Sequence, residues 1–128
     1  MNVMSIDDSA TIRKIIKISL GDLNATIIEA ENGKQALEKL RENPKIDLFI
    51  VDINMPEMNG IEFINTLKHE IKYARYLHTP VIVLTTEKEQ ELKKQAFDMG
   101  ADAWTVKPFD PKEFKKLITD LIGEKSMN

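Results

Sequence analysis

The chain contains no cysteine, few aromatic residues and no long hydrophobic run, and each of these absences excludes a class of protein. Without cysteine, disulfide bonds, thiol catalysis and cysteine-ligated zinc are excluded. No apolar run approaches the length that crosses a membrane, and the first residues lack the basic and apolar regions of a signal peptide. We therefore expect a cytoplasmic protein that does not insert into a membrane.

Neither sign of charge dominates the composition. The 18 lysine and arginine residues stand against 21 aspartate and glutamate residues, which gives a net charge of −3. This balance offers no basic surface for nucleic acid, so we expect partners to be proteins or small molecules.

The length and composition match one ordinary globular domain, with 128 residues of which 42% are hydrophobic and 30% are charged. No Gly/Ser-rich or Pro-rich linker divides the chain. We predict a single domain over residues 1–128, with an ordered core over about 1–123, a polar tail over 124–128 and no fused output domain.

Short apolar runs alternate with helical periodicity along the whole chain. Five strands are predicted, at residues 3–6, 25–30, 48–51, 81–84 and 103–106. Amphipathic helices follow them, the first starting after the capping residue Ser9 with Ile12, Ile15, Ile16 and Leu20 as its apolar stripe, and the third carrying Ile61, Ile64, Leu67 and Ile71. This alternation is typical of a doubly wound α/β fold around a parallel sheet.

Charged or hydroxyl-bearing residues directly follow four of the five predicted strands. Asp7 and Asp8 follow the first, Asp52 the third, Thr85 the fourth and Lys107 the fifth. Ligands of doubly wound sheets bind outside the carboxyl ends of the strands, so we expect these side chains to meet at one edge. A single aspartate after a strand is most often a turn or helix-cap residue, and only the joint pattern favours a chemical site.

This set of residues suits phosphoryl transfer to a carboxylate. Carboxylates on neighbouring strands about 4.8 Å apart raise one another's pKa values, and Mg²⁺ prefers such oxygen ligands. The reaction needs a metal, a cation and a hydroxyl donor more than acid–base chemistry. Asp52 is therefore the predicted nucleophile, Asp7 and Asp8 the predicted metal ligands, Lys107 the cation and Thr85 the hydroxyl donor.

The motifs around these residues resemble the receiver domains of two-component response regulators, most closely the free-standing chemotaxis type. The matching segments cover nearly the whole chain and are Ile-Asp-Asp-Ser at 6–9, Val-Asp-Ile-Asn-Met-Pro at 51–56 with Gly60, Thr85, and Lys-Pro-Phe at 107–109. The resemblance implies a flavodoxin-like sheet of five parallel strands in the order 2-1-3-4-5. It also implies a cis peptide bond before Pro108.

The resemblance assigns roles to individual side chains. Asp52 matches the phosphoacceptor, and Asp7, Asp8, Asp52 and the backbone carbonyl of Asn54 match the ligands of Mg²⁺. Lys107 matches the lysine that stabilises the phosphoryl group.

The same resemblance implies a two-state switch made by Thr85 and the aromatic residue Trp104. The family more often has Tyr or Phe at the position of Trp104, which puts the size of the switch in question. Thr86 stands where a smaller residue is usual, and we expect it to narrow access to the phosphorylated carboxylate. The segment 68–79 looks longer than the family pattern, and we expect it to alter a partner surface.

The implied partners are a CheA-like sensor histidine kinase and a downstream protein target, with the flagellar motor switch as the first hypothesis. The protein is then a monomeric signalling phosphoacceptor and not an enzyme. An intermediate carrier of a phosphorelay, or a regulator of another pathway, stays open.

Two alternatives come from other classes. A phosphatase of the haloacid dehalogenase type needs an acid two residues after its nucleophile, where this chain has Asn54. A flavin or nucleotide binder needs a Gly-rich phosphate loop after the first strand, where this chain has Asp7 and Asp8. The sequence therefore disfavours both.

Overall fold

The structure is a computed structural model that describes the backbone of residues 1–127 and the side chains of residues 1–123. Within this range five parallel strands form one sheet in the order β2-β1-β3-β4-β5. The strands are β1 (Asn2–Ile6), β2 (Thr26–Ala30), β3 (Leu48–Val51), β4 (Val81–Thr85) and β5 (Ala103–Val106). The predicted fold class and strand order are confirmed.

Helices connect successive strands and cover both faces of the sheet. They are α1 (Ala10–Ser19), α2 (Gly33–Lys39), α3 (Gly60–His69), α4 (Gln90–Met99) and α5 (Pro111–Met127). Ser9 caps α1 as predicted, because its side chain accepts a hydrogen bond from the backbone N–H of Ile12. The backbone of α5 continues through 124–127, so this part of the predicted polar tail is helical, whereas the side chains of 124–127 and all of Asn128 lie outside the described residues.

The hydrophobic core consists of two layers, one on each face of the sheet. Phe49 and Val51 of β3 pack toward α2, α3 and α4, whereas Leu48 and Ile50 pack toward α1 and α5. Every residue of β3 is buried, as expected for a central parallel strand covered on both faces. This strand therefore holds the residue that follows it, Asp52, in a fixed position.

Two predicted apolar stripes differ from the structure at one position each. Helix α3 ends at His69 because Glu70 adopts an extended conformation (φ −91°, ψ 133°), and a 3₁₀ helix then runs over Ile71–Tyr76. Ile71 is consequently 93% exposed, and its prediction as a core residue of α3 was wrong. In α1, Ile15 is 39% exposed, and the buried residues of that helix are Ile16 and Arg13.

None of the helices within residues 1–127 is both long enough and apolar enough to span a bilayer.

Candidate functional site

The register of the sheet brings the predicted site residues to one edge. Ile6 of β1 pairs with Val51 of β3, so Asp7 and Asp52 each lie one residue beyond a paired position. The backbone N–H of Asp52 donates to the carbonyl of Ile6 at 2.9 Å, which fixes the two strand ends relative to each other. On the other side of β3, Lys107 follows β5, and its backbone N–H donates to the carbonyl of Thr85 at 2.8 Å.

Three carboxylates converge at this edge. One oxygen from each of Asp7, Asp8 and Asp52 lies within 4.8 Å of the others. Asp7 is 2% exposed and Asp52 is 6% exposed, whereas Asp8 faces solvent. The site thus has two carboxylates within the protein and a third at its mouth.

The Lys107 ammonium joins the two buried carboxylates. Its Nζ lies 2.6 Å from Oδ2 of Asp7 and 3.2 Å from Oδ2 of Asp52, and its side chain is only 11% exposed. Burying a charge is costly unless it is paired, and this bridge supplies a positive charge to both buried carboxylates. Lys107 therefore lies where it can neutralise negative charge on Asp52.

The pKa values of the site follow from burial and from this bridge. Loss of solvent raises the pKa of Asp7 above its ordinary value, and the hydrogen bond from Lys107 only partly offsets this. The charge of Asp52 also raises the pKa of Asp7, but it contributes less than burial, whereas the sequence suggested carboxylate repulsion as the cause. For Lys107, burial lowers the pKa, but the hydrogen bonds and charges of Asp7 and Asp52 together outweigh it, so the net pKa is raised.

The carboxylate cluster suits a hard divalent cation. Mg²⁺ is held in proteins by one or two carboxylates together with water and phosphate oxygens, and three carboxylate oxygens are available here. The predicted carbonyl ligand belongs to Asn54, whose backbone N–H donates to Oδ1 of Asp52 at 3.3 Å. That hydrogen bond keeps the loop after β3 folded against the Asp52 carboxylate.

The predicted switch residues Thr85 and Trp104 lie on the same face of the sheet. Thr85 pairs with Val106, and Trp104 lies two residues before Val106 on β5. Thr85 is fully buried, and its hydroxyl oxygen accepts a hydrogen bond from the backbone N–H of Glu87 at 3.3 Å. Trp104 is partly buried against the core layer that includes α4.

Arg13 of α1 contacts the site, although no motif in the sequence predicts it as a site residue. Its Nη1 donates to the backbone carbonyl of Asp7 at 2.5 Å, and its Nε lies 3.0 Å from the Glu29 carboxylate. An arginine between isoleucines on a helix gives no sign that it is buried, so sequence patterning alone does not identify this contact. Arg13 holds the loop that carries Asp7 and Asp8.

Asn54 and Glu87 connect the loops after β3 and β4. Nδ2 of Asn54 donates to the Glu87 carboxylate at 2.7 Å. Glu87 lies two residues after Thr85, but no motif in the sequence predicted its contact. Thr86, which we expected to narrow access to Asp52, is exposed.

Gly60 packs closely against the backbone that carries Asp52. A Cβ atom added at Gly60 would lie 2.2 Å from the Asp52 carbonyl oxygen and 2.9 Å from Cα of Ile53. Real Cβ atoms essentially never approach other atoms closer than 3.0 Å, so only glycine fits here without a backbone shift.

The peptide bond between Lys107 and Pro108 is cis, as the resemblance implied.

Comparison with known proteins agrees with this geometry. The model of the family described as the response regulator receiver domain matches residues 3–119. The chain belongs to the response regulator receiver family. A chemotaxis protein CheY homolog from Campylobacter jejuni is 37% identical over 124 residues, which cover 96% of this chain and 93% of the relative. Chemotaxis protein CheY1 from Helicobacter pylori is 36% identical, with 96% of this chain and 98% of the relative covered.

A solved structure of a chemotaxis protein has the same fold as this chain. The chemotaxis protein CheY4 of Vibrio cholerae superposes with a TM-score of 0.84 at 34% sequence identity, covering 94% of this chain and 97% of that chain. The protein is a CheY-like response regulator by both sequence and fold.

Proposed function

We propose that Asp52 is the phosphoacceptor of a two-component signalling pathway. A carboxylate oxygen of Asp52 attacks the phosphorus of a kinase phosphohistidine, an O–P bond forms, and the N–P bond breaks with the imidazole as leaving group. The observation that carries the proposal is the Lys107 bridge between Asp7 and the buried Asp52 at the carboxyl edge of the sheet. This reaction is a phosphoryl uptake and release by the protein itself, and not turnover of a separate substrate.

The side chains around Asp52 orient and neutralise the reacting group. The hydrogen bond from the Asn54 backbone to Oδ1 fixes the rotation of the carboxylate, with Oδ2 next to Lys107. Lys107 exchanges its contact with Oδ2 for a phosphoryl oxygen as negative charge arrives. The Thr85 hydroxyl accepts its present hydrogen bond through oxygen, so its hydrogen can be donated to the phosphoryl group.

Asp7, Asp8, Asp52 and the backbone carbonyl of Asn54 would hold Mg²⁺. When bound, this ion neutralises charge on the transferring phosphoryl oxygens. Asp7 and Asp8 then serve as fixed ligands, positioned by the Arg13 contact to the Asp7 carbonyl.

The signal is passed on through the face formed by α4, β5 and α5. When Thr85 donates to the phosphoryl group, it moves toward the site and leaves space on the face that it shares with Trp104. Trp104, now partly buried, turns inward and changes the surface that a protein target meets.

The biological setting that we favour is chemotaxis. Both relatives named above are chemotaxis proteins of nearly the same length as this chain. We infer a cytoplasmic, monomeric protein that is phosphorylated by a CheA-like kinase and acts on a target such as the flagellar motor switch. A phosphorelay intermediate, or a regulator of another pathway, is the second candidate, since the same site serves either.

Intact mass after acid quenching tests the phosphoacceptor directly. The protein is incubated with a small phosphodonor, with and without Mg²⁺, and compared with Asp52→Asn. We expect one Mg²⁺-dependent phosphoryl adduct on the wild type, none on Asp52→Asn, and an unchanged adduct on the control Asp98→Asn, whose side chain is exposed on α4. A folded wild type without adduct, or an adduct that survives Asp52→Asn, would contradict the assignment.

A further inference from the structure

A concave surface lies at the opposite edge of the sheet from Asp52. It has a volume of about 270 Å³ and is formed by α2, the chain before β3, and the 3₁₀ helix at 71–76. Pro44 precedes β3 and Tyr76 precedes β4, so both lie at the amino ends of strands whose carboxyl ends carry Asp52 and Thr85. We call this surface the amino-edge pocket.

The floor of the amino-edge pocket is apolar and firmly packed. Leu40 and Tyr76 are each 4% exposed, and Leu37 packs against the same core layer. The Tyr76 ring meets the Phe49 ring edge-on at 5.5 Å between centroids, and its hydroxyl donates to the Pro44 carbonyl at 2.9 Å. Burial raises the pKa of Tyr76, so the floor stays uncharged.

The rim of the pocket is basic. Arg41, Lys72 and Arg75 line it and are exposed, and no lining residue is acidic. Among the described residues, none of these three cations forms an ion pair. Lys72 lies 5.4 Å from the centroid of the Tyr73 ring, and Arg75 contacts the Pro44 carbonyl at 3.5 Å and the Tyr76 hydroxyl, neither of which is a carboxylate.

Three exposed cations without carboxylate partners surround this one depression, although the net charge of the chain is −3. They produce a local positive potential that attracts negative charge. Asp47, in the neighbouring depression that shares Arg75, accepts a hydrogen bond from the backbone N–H of Asn2 at 2.7 Å and leaves Arg75 without a carboxylate. A carboxylate-bearing partner would therefore meet positive charge at this rim without displacing an ion pair formed among the described residues.

Exposed apolar side chains flank the pocket on the same segment. Ile71 is 93% exposed and Leu77 is 53% exposed, so a partner would gain by covering them. A volume of about 270 Å³ accommodates one large apolar side chain and lies below the usual range for small-molecule sites. These features fit a peptide better than a nucleotide or another small ligand.

We propose that the amino-edge pocket docks an acidic segment of a partner protein. Carboxylates of the segment pair with Arg41, Lys72 and Arg75, while one apolar side chain of the segment covers the floor beside Ile71. No residue of this pocket takes part in the phosphoryl chemistry, so the proposal stands or falls separately from the phosphoacceptor assignment.

The test is a titration of ¹⁵N-labelled full-length protein with a synthetic octapeptide that has glutamates flanking a central Leu-Phe pair. We expect chemical-shift changes concentrated in α2 and residues 71–77, and a dissociation constant that rises at least about tenfold in the triple variant Arg41→Glu, Lys72→Glu, Arg75→Glu. The matched control is Lys14→Glu, Lys17→Glu, Lys112→Glu, which makes the same charge change at exposed lysines and should bind as the wild type does. The milder triple Gln variant, checked by circular dichroism, repeats the test without charge reversal.

Three results would overturn the proposal. Equal weakening in the control variant would show only general charge attraction. Shift changes outside the amino-edge pocket would place recognition elsewhere. Equal binding of a peptide with glutamine in place of glutamate would show that the acidic charge is not recognised. Concentration-dependent shifts of the pocket residues without peptide would indicate that a second copy of the chain occupies it.

Discussion

Replacing Gly60 with Ala is expected to disturb the acceptor site without touching any reacting atom. Gly60 is the first residue of α3, and its backbone N–H donates to the carbonyl of Ile53 at 3.0 Å. The added methyl group would lie 2.2 Å from the Asp52 carbonyl oxygen. Real Cβ atoms essentially never lie closer than 3.0 Å to such an atom. The peptide unit after Asp52 and the start of α3 must therefore separate by most of an ångström.

This displacement has a cost in both stability and reactivity. Overpacking of a tight backbone contact typically costs about 1–3 kcal/mol. A shift near 1 Å at a reacting group can slow a reaction about 100-fold, since geometry in the transition state is demanding. We expect Gly60→Ala to destabilise the fold by about 1–3 kcal/mol and to slow phosphoryl uptake at Asp52 by about tenfold or more.

Urea unfolding gives the free energy, and the rate of adduct formation by intact mass gives the reactivity. The matched control is Gly123→Ala on α5, where an added Cβ would meet nothing within 4 Å. That variant should gain up to about 1 kcal/mol from the better helix propensity of alanine and react at the wild-type rate. Wild-type stability and uptake rate in Gly60→Ala would refute the reasoning.

Three further changes test other parts of the structure. Asp8→Ala removes a carboxylate from the mouth of the site and should weaken Mg²⁺ binding by about tenfold in a calorimetric titration, and an unchanged affinity would oppose the ligand assignment. Trp104→Ala should leave phosphoryl uptake, measured by intact mass, unchanged. It should abolish the fluorescence change on phosphorylation, since Trp104 is the single tryptophan. Loss of uptake itself would contradict a pure switch role. Tyr76→Phe should cost about 1 kcal/mol in urea unfolding by removing the hydrogen bond to Pro44. Because the pKa of Tyr76 is raised in the folded protein, its contribution is complete below the ordinary value of 10.0 and declines above it, so the difference between wild type and variant should narrow at higher pH; a constant difference would contradict this.

Much of the fold was predictable because it depends on patterns along the chain. The fully apolar run of β3 indicated a strand covered on both faces, and Ser9 indicated the start of α1. The meeting of Asp7, Asp52 and Lys107 followed from topology alone, since parallel strands end at one edge of a sheet. Local sequence and topology therefore account for the elements and for the main charged groups.

The remaining features depend on tertiary contacts that the sequence pattern does not contain. Arg13 reads as a surface residue of a helix, yet it is 9% exposed because Glu29 and the Asp7 carbonyl satisfy its donors. Ile71 reads as part of an apolar stripe, yet the extended Glu70 removes it from the helix. Two hydrogen-bond partners decide the burial of Arg13, and the backbone conformation of Glu70 decides the exposure of Ile71; neither has a periodic signal in the sequence.

The formal charges at the site explain why a hydroxyl donor is needed there. Three carboxylates and the Lys107 ammonium leave a charge of −2, which a bound divalent cation balances. Phosphorylation replaces one carboxylate charge at Asp52 with the larger charge of a phosphoryl group. The cation and Lys107 would then no longer balance the site, and the buried Thr85 hydroxyl is a neutral donor at the same edge. Under the proposed function, movement of Thr85 would be a response to this excess negative charge, and it would link the chemistry of Asp52 to the face that carries Trp104.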